Sequence, residues 1–243
     1  MCGRYKIEPI KDGWAALSSL LSQADLEALR TQEPRLDIRP TQRVPVVRWA
    51  KGESAPRLVS MRWGFIPAWW KQPKPPQSTI NARCEEAPAK PMWRQAVRYA
   101  RCLIPCTGWY EWMPVFSQET GEVKMKPDGK TPVKTPVEMR NPLNPAICFA
   151  GLWSRATFAG EDMETCAIVT RAAVAPLTRV HDRMPVIVSP DDYREWLDPA
   201  QTDVALFERV TQAEPPAKFE VLQRSLGHTS DSHITKLDRG RPV

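Results

Sequence analysis

A cysteine at position 2 directly follows the initiator methionine. Removal of a methionine before a small residue leaves that cysteine with a free α-amine beside its thiol. The amine titrates at about pH 7.7–8 and the thiol at about 8.5, so a fraction of each is nucleophilic at neutral pH without help. Such a 1,2-aminothiol condenses with an aldehyde to an imine, which the sulfur then closes into a five-membered thiazolidine. An internal cysteine has no amine to offer. The plain alternative is a second-residue cysteine with no chemical role.

Three further segments place polar groups in short turns beside apolar runs, a common setting for sites. They are Ile80-Asn81-Ala82-Arg83-Cys84-Glu85, the run from Arg101 to Trp112 containing Trp109-Tyr110-Glu111-Trp112, and His181-Asp182-Arg183-Met184-Pro185-Val186. The remaining cysteines offer less. Cys102 and Cys106 are the only close pair, no second Cys/His pair stands near them, and His181, His228 and His233 lie far downstream, so no metal site is expected. Cys84, Cys102, Cys148 and Cys166 read as small buried hydrophobes. No P-loop, G-x-G-x-x-G or G-x-S-x-G motif occurs.

The elements that must carry these groups are short. The 243 residues include 25 prolines against 11 glycines, which makes much of the chain stiff, extended connection. Hydrophobic residues at 42% and charged ones at 26% fit a globular protein rather than a disordered or fibrous one. No apolar run is long enough to span a bilayer, and a cytoplasmic protein with reduced cysteines is expected. Periodicity predicts helices over 12–30 with Asp12 as cap, 91–99 and 190–198. Strands are predicted at Val44–Trp49, Leu58–Trp63, Cys102–Ile104, Val137–Met139, Ile147–Leu152, Cys166–Thr170, Val186–Val188 and Phe219–Leu222. The expected fold is α+β, one domain over 1–243 with a mainly antiparallel, barrel-like sheet core and peripheral helices. The polar stretch 117–136 reads as a mobile hairpin or loop.

Charge is uneven. Residues 1–110 carry 18 Lys and Arg against 9 Asp and Glu, the rest 16 against 19, so a net +9 precedes a net −3. Trp63, Trp69, Trp70, Trp93, Trp109 and Trp112 share one stretch with Arg62, Lys71, Lys74, Arg83, Arg94, Arg98 and Arg101, a mixture suited to stacking on exposed bases beside phosphates. Trp14, Trp49, Trp153 and Trp196 read instead as core.

Taken in order, Met1-Cys2-Gly3-Arg4-Tyr5, Trp63-Gly64-Phe65-Ile66-Pro67-Ala68-Trp69-Trp70, Ile80-Asn81-Ala82-Arg83, Trp109-Tyr110-Glu111-Trp112, Gly151-Leu152-Trp153, Ile168-Val169-Thr170 and His181-Asp182-Arg183-Met184-Pro185 resemble the SOS response-associated peptidase family, over residues 1 to about 198. The resemblance implies recognition of abasic sites in single-stranded DNA by a monomer, through a thiazolidine on Cys2, with no metal or organic cofactor. It implies Asn81, Glu111 and His181 as the supporting site, with Glu111 shuttling protons, Asn81 positioning reactants and His181 binding or protonating sugar oxygens. It also implies Arg4, Arg83 and Arg183 on phosphates, Trp69 and Trp70 against bases, and Thr170 near the sugar. A cysteine peptidase acting chiefly on its own Met1, with Cys2 and His181 as nucleophile and base, and a non-covalent binder of single strands remain as alternatives. Two departures stand out. Asp37-Ile38-Arg39-Pro40-Thr41 replaces the family's Asn-Ile-Ala-Pro-Thr, setting an acid where DNA is expected, and the segment 223–243 lacks the usual Val-Asn-rich ending.

Overall fold

The computed structural model describes residues 2–10, 13–72, 78–158, 160–216, 218–224 and 234–236. In chain order its strands are Tyr5–Ile7 (β1), Arg35–Ile38 (β2), Arg43–Arg48 (β3), Arg57–Trp63 (β4), Asn81–Arg83 (β5), Arg101–Cys106 (β6), Gly108–Pro114 (β7), Lys134–Arg140 (β8), Ile147–Phe158 (β9), Glu161–Ala172 (β10), Arg183–Pro185 (β11), Glu220–Arg224 (β12) and Ile234–Lys236 (β13). The α-helices are Gln23–Thr31 (α1), Arg94–Tyr99 (α2), Tyr193–Leu197 (α3) and Val204–Gln212 (α4). The architecture is α+β, as expected.

Five strands close on themselves. Pairing runs β10, β4, β3, β6, β9 and back to β10, antiparallel throughout except between β4 and β10. A ring of this kind removes its own edges. Its interior takes Val46, Met61, Trp63, Ile104, Phe149 and Ile168, each fully buried. Where β9 crosses β6 the chain needs a glycine, because a Cβ on Gly151 would stand 2.6 Å from Cys102 Sγ.

The second sheet runs β13-β12-β8-β7-β1-β2. Its strand β1 is buried along its whole length, and the Tyr5 ring meets Trp63 and Phe149 of the barrel edge-on, with centroids 5.3 and 5.8 Å away. Aromatic pairs of this geometry add about 0.5–1.5 kcal/mol each beyond their burial. This contact fixes the segment carrying Cys2 against the barrel.

The helix expected over 12–30 is in fact two pieces, a 3₁₀ turn at Ala15–Leu17 and α1. Ser22 breaks it by capping anew, its Oγ accepting Asp25 N–H at 3.1 Å. Asp12 lies outside the described residues. The 91–99 and 190–198 helices appear as α2 and as a 3₁₀ turn running into α3. Helix α4 was not anticipated, although Asp203 caps it and Leu206, Phe207 and Val210 form its buried face.

Arg101 corrects its reading as a surface cation. It is 3% exposed and donates to the carbonyls of Val97, Arg98, Trp196, Asp198 and Gln201 at 2.7–3.1 Å, tying the ends of α2 and α3 to β6. Burial lowers its pKa to about 10. Trp63, Trp93 and Trp109 are also core rather than stacking surface. Val186–Val188 makes only an isolated bridge at Ile187; the strand lies one step earlier, at β11.

The 117–136 excursion is a built arm rather than a loose loop. Val115 N–H donates to Val133 O, Val133 N–H to Lys124 O and Lys124 N–H to Val115 O, at 2.8–2.9 Å, so three segments bond in a cycle. Two short hairpins branch from that junction, one bridged at Phe116 and Val123, the other at Met125 and Pro132. Lys74, within the cation cluster read from the sequence, and most of the segment 223–243 lie outside the described residues.

Candidate active site

Strand β1 continues its ladder toward the N-terminus. Tyr5 pairs with Trp109, and Tyr110 N–H donates to Arg4 O at 2.9 Å, which carries Cys2 alongside the part of β7 that bears Glu111. Cys2 is fully buried. Burial, reinforced by the negative charge of Glu111, pushes its thiol far above the ordinary range, against a hydrogen bond from the Arg4 backbone. Sulfur at rest is therefore a thiol rather than a thiolate.

Strand β10 supplies the other two members. Past Ile168 it leaves β9 and takes two new partners: β5, parallel, pairing Ile168 with Asn81, and β11, antiparallel, pairing Thr170 with Pro185. Asn81 thus emerges on one side of β10 and His181, just before β11, on the other. The Asn81 amide reaches across to the second sheet, with Nδ2 donating to Cys2 O at 2.9 Å. Its Oδ1 is buried and has no hydrogen-bond partner among the described residues, leaving an acceptor available to a ligand.

Glu111 is 4% exposed, and burial, joined by the charge of Asp182, raises its pKa. His181 is half-buried, and its pKa is lowered, chiefly by burial. Its Nδ1 lies 2.9 Å from the Arg183 backbone N–H and 2.5 Å from Asp182 Oδ1. These contacts ask for opposite protonation, since an N–H needs a lone pair and a carboxylate needs a proton. The lowered pKa favours the neutral ring, with Nδ1 accepting from Arg183 and the proton on Nε2. Lys134 on β8 acts electrostatically on both Glu111 and His181, which places the two in one neighbourhood. Cys2, Asn81, Glu111 and His181, spread along most of the sequence, are thus linked by a hydrogen bond and by shared charges.

The cations around this cluster are largely paired. Arg4 holds Asp37 through Nη2 at 2.9 Å and through Nε, and lies over the Trp112 ring at 5.3 Å. Arg39 grips the same carboxylate at 2.7 Å, and these hydrogen bonds keep Asp37 below the usual carboxylate range. The acid noted in the sequence is thereby neutralised by two guanidinium groups. Arg183 makes a fork to both oxygens of Glu85, at 2.8 and 2.9 Å, and also donates to Thr170 O at 2.7 Å. The Arg183 contact holds the Glu85 pKa at about 2. Thr170 is fully buried beneath that arginine. Arg83 is exposed and 3.4 Å from Glu86.

Trp69 and Trp70 sit on the connection from β4 to β5 that delivers Asn81. Trp69 is 53% exposed, and the two rings meet edge to face at 5.9 Å. Gly64 starts this connection at φ 134°, a value that other residues rarely adopt.

The order and spacing of these residues along one chain match a single family model, SOS response associated peptidase (SRAP), over residues 1–225. The chain belongs to this family. It is 31% identical over 206 residues to the abasic site processing protein YoaM of Bacillus subtilis, covering 83% of this chain and 81% of that one. It is 28% identical over 229 residues to the abasic site processing protein YoqW of the same organism, covering 93% and 92%. A crystal structure of a protein from Bacteroides thetaiotaomicron superposes with a TM-score of 0.72 at 18% identity, over 93% of each chain, and shares the fold.

All six cysteines of this SRAP chain are buried free thiols. Among the described residues no three His, Cys, Asp or Glu side chains gather to hold a metal ion. No helix is long and apolar enough to cross a membrane among those residues. Sequence reasoning did not find Asp37 and Glu85 as partners of Arg4 and Arg183, or Lys134 beside Glu111. The pairs lie 33 and 98 positions apart and follow no motif.

Proposed function

We propose that this protein processes abasic sites in single-stranded DNA by capturing the open-chain sugar aldehyde on Cys2 after Met1 has been removed. The observation that carries the reading is the clasp of Asn81 on Cys2 O, which holds residue 2 beside Glu111. Met1 itself lies outside the described residues. The relatives named for abasic-site processing support the lesion as substrate.

The chemistry follows from the protonation states. A thiol whose pKa is raised by burial is a poor first nucleophile, so the α-amine attacks C1′ of the aldehyde to give a carbinolamine. Glu111, protonated more readily than an ordinary carboxyl, gives its proton to the departing hydroxyl, and water leaves as the imine forms. Sγ then attacks the imine carbon, its proton passes by way of Glu111 to the nitrogen, and the thiazolidine closes. One water is released and no electrons are gained or lost. Neutral His181, with its proton on Nε2, donates to sugar oxygens, and the open Oδ1 of Asn81 accepts from the carbinolamine hydroxyl or the amine. No cofactor enters this balance. The same raised thiol argues against a peptidase built on a thiolate and His181.

The test is heat-stable adduct formation with abasic, intact and RNA oligonucleotides, with Met1 loss followed by intact mass. Abasic DNA alone should give the adduct. Cys2→Ala should abolish it, Cys2→Ser should give a less durable one, and a Met1 that cannot be removed should be as damaging as either. Robust adduct from protein shown by mass to retain Met1 would refute the mechanism.

A further inference from the structure

The cations expected to hold DNA near the site are mostly engaged with acids, whereas another set is free. Lys124, Lys126, Lys130 and Lys134 are exposed, and none is in an ion pair with another described residue. All four fall on the second hairpin of the arm and its return to β8. The arm sorts its charges by branch. Glu119 and Glu122 lie on the first hairpin, while the only acid on the second is Asp128, whose oxygens accept from Lys130 N–H, Thr131 N–H and Thr131 Oγ1. The lysine branch therefore carries a net positive charge with its one carboxylate turned to internal work.

Position matters as much as sign. The arm continues the β7–β8 hairpin, on which Glu111 pairs with Val137 and Pro114 with Lys134, so it grows from the wall of the site itself. Lys134, at its root, is felt by Glu111 and His181. Farther out the arm exposes Phe116 (54%) on its first branch and Met125 (45%) among the lysines of its second. An exposed ring on the first branch and exposed lysines with Met125 on the second, joined by one hydrogen-bonded junction, suit the bases and phosphates of a single strand. The cyclic junction keeps these groups on a fixed platform, lowering the ordering cost of binding.

We propose that the 115–134 arm is a second binding surface for the DNA strand, carrying the nucleotides that flank the lesion beyond the reach of Cys2. It rests on the reading of the site as one for abasic DNA.

The experiment compares the parent with a Lys124→Gln/Lys126→Gln/Lys130→Gln protein, leaving Lys134 intact. Non-covalent binding to an intact single strand of about 20 nucleotides, longer than one ordinary binding span, is measured across a salt series. The triple variant should bind on the order of tenfold more weakly at low salt. Its slope of log affinity against log salt should be shallower by about 2, at roughly 0.7 for each phosphate that a lysine no longer neutralises on a single strand. A trinucleotide should show no difference between the proteins, and Lys→Arg at the same three positions should restore the slope. Thermal melts check that all three proteins are folded. Coincident slopes for parent and Gln variant would overturn the proposal, as would an equal loss on the trinucleotide. Adduct formation by the parent on an abasic strand is read separately. Adduct with coincident slopes removes the arm alone, and differing slopes without adduct remove the covalent reading alone.

Discussion

The side-chain amide of Asn81 donates to the backbone carbonyl of Cys2 at 2.9 Å, joining the strand that borders the barrel to the segment that carries Cys2. Asn81→Asp keeps the size but exchanges the donor for an acceptor facing a carbonyl. Adduct formation should slow by about 10²-fold, the cost of misplacing a reacting group by an ångström. The melting point should fall modestly, since a lost hydrogen bond of this kind costs about 1–2 kcal/mol. A rate equal to the parent's would show that the clasp has no part in positioning Cys2.

Glu111 opposes stability to function. Its folded pKa is raised by burial, so its contribution to stability is fully present below the ordinary value of 4.5 and is lost as pH rises through the raised folded value. Glu111→Gln removes this loss. The variant should be at least as stable as the parent at pH 7 and should lack the parent's decline above pH 4.5, while adduct formation falls on the order of 10²–10⁴-fold. Denaturant titrations at several pH values, beside adduct rates, decide the matter; a variant that is both less stable and fully active would contradict it.

Asp37→Asn frees two guanidinium groups at once, since Arg4 and Arg39 share its carboxylate. The carboxylate is 43% exposed, so the stability change should stay below about 1 kcal/mol. Affinity for intact single-stranded DNA should rise several-fold and its salt dependence steepen, as the released cations turn to phosphate. Unchanged affinity would mean that DNA does not pass Arg4.

Arg101→Met leaves five carbonyls without their donor at the junction of α2, α3 and β6. The expected cost is about 3–5 kcal/mol, in the range for removing one partner of a buried charged network. DNA affinity per folded molecule should not change. Chemical denaturation separates this outcome from a DNA-contact role, which would lower affinity and spare stability.

Much of the barrel was legible because its strands are apolar runs bounded by proline or polar residues, as at Val44 and Leu58. Strand β7 was missed for a definite reason. Trp109, Tyr110 and Glu111 are all buried, so the in-and-out alternation that marks a half-exposed strand is absent. Its aromatic content was the available signal. Strand β5 is three residues long and exists through its parallel pairing with β10, a partner more than 80 positions away that no local pattern encodes. Cys2, Asn81, Glu111 and His181 are singled out by their motifs, and the fold links them by a hydrogen bond and shared charges. What the motifs could not reveal is which cations were already occupied, because Asp37 and Glu85 reach Arg4 and Arg183 only through the fold.

Strand β10 belongs to the barrel over its first residues and to the site over its last, with β9, β4, β5 and β11 taking successive shares of its edges. A strand divided in this way has no loose end to fray. The amides that place Asn81 and His181 should exchange with solvent almost as slowly as those of the barrel, through global rather than local opening. The lesion would then meet a rigid receptor, and any adaptation needed to admit a bent strand would fall to the DNA.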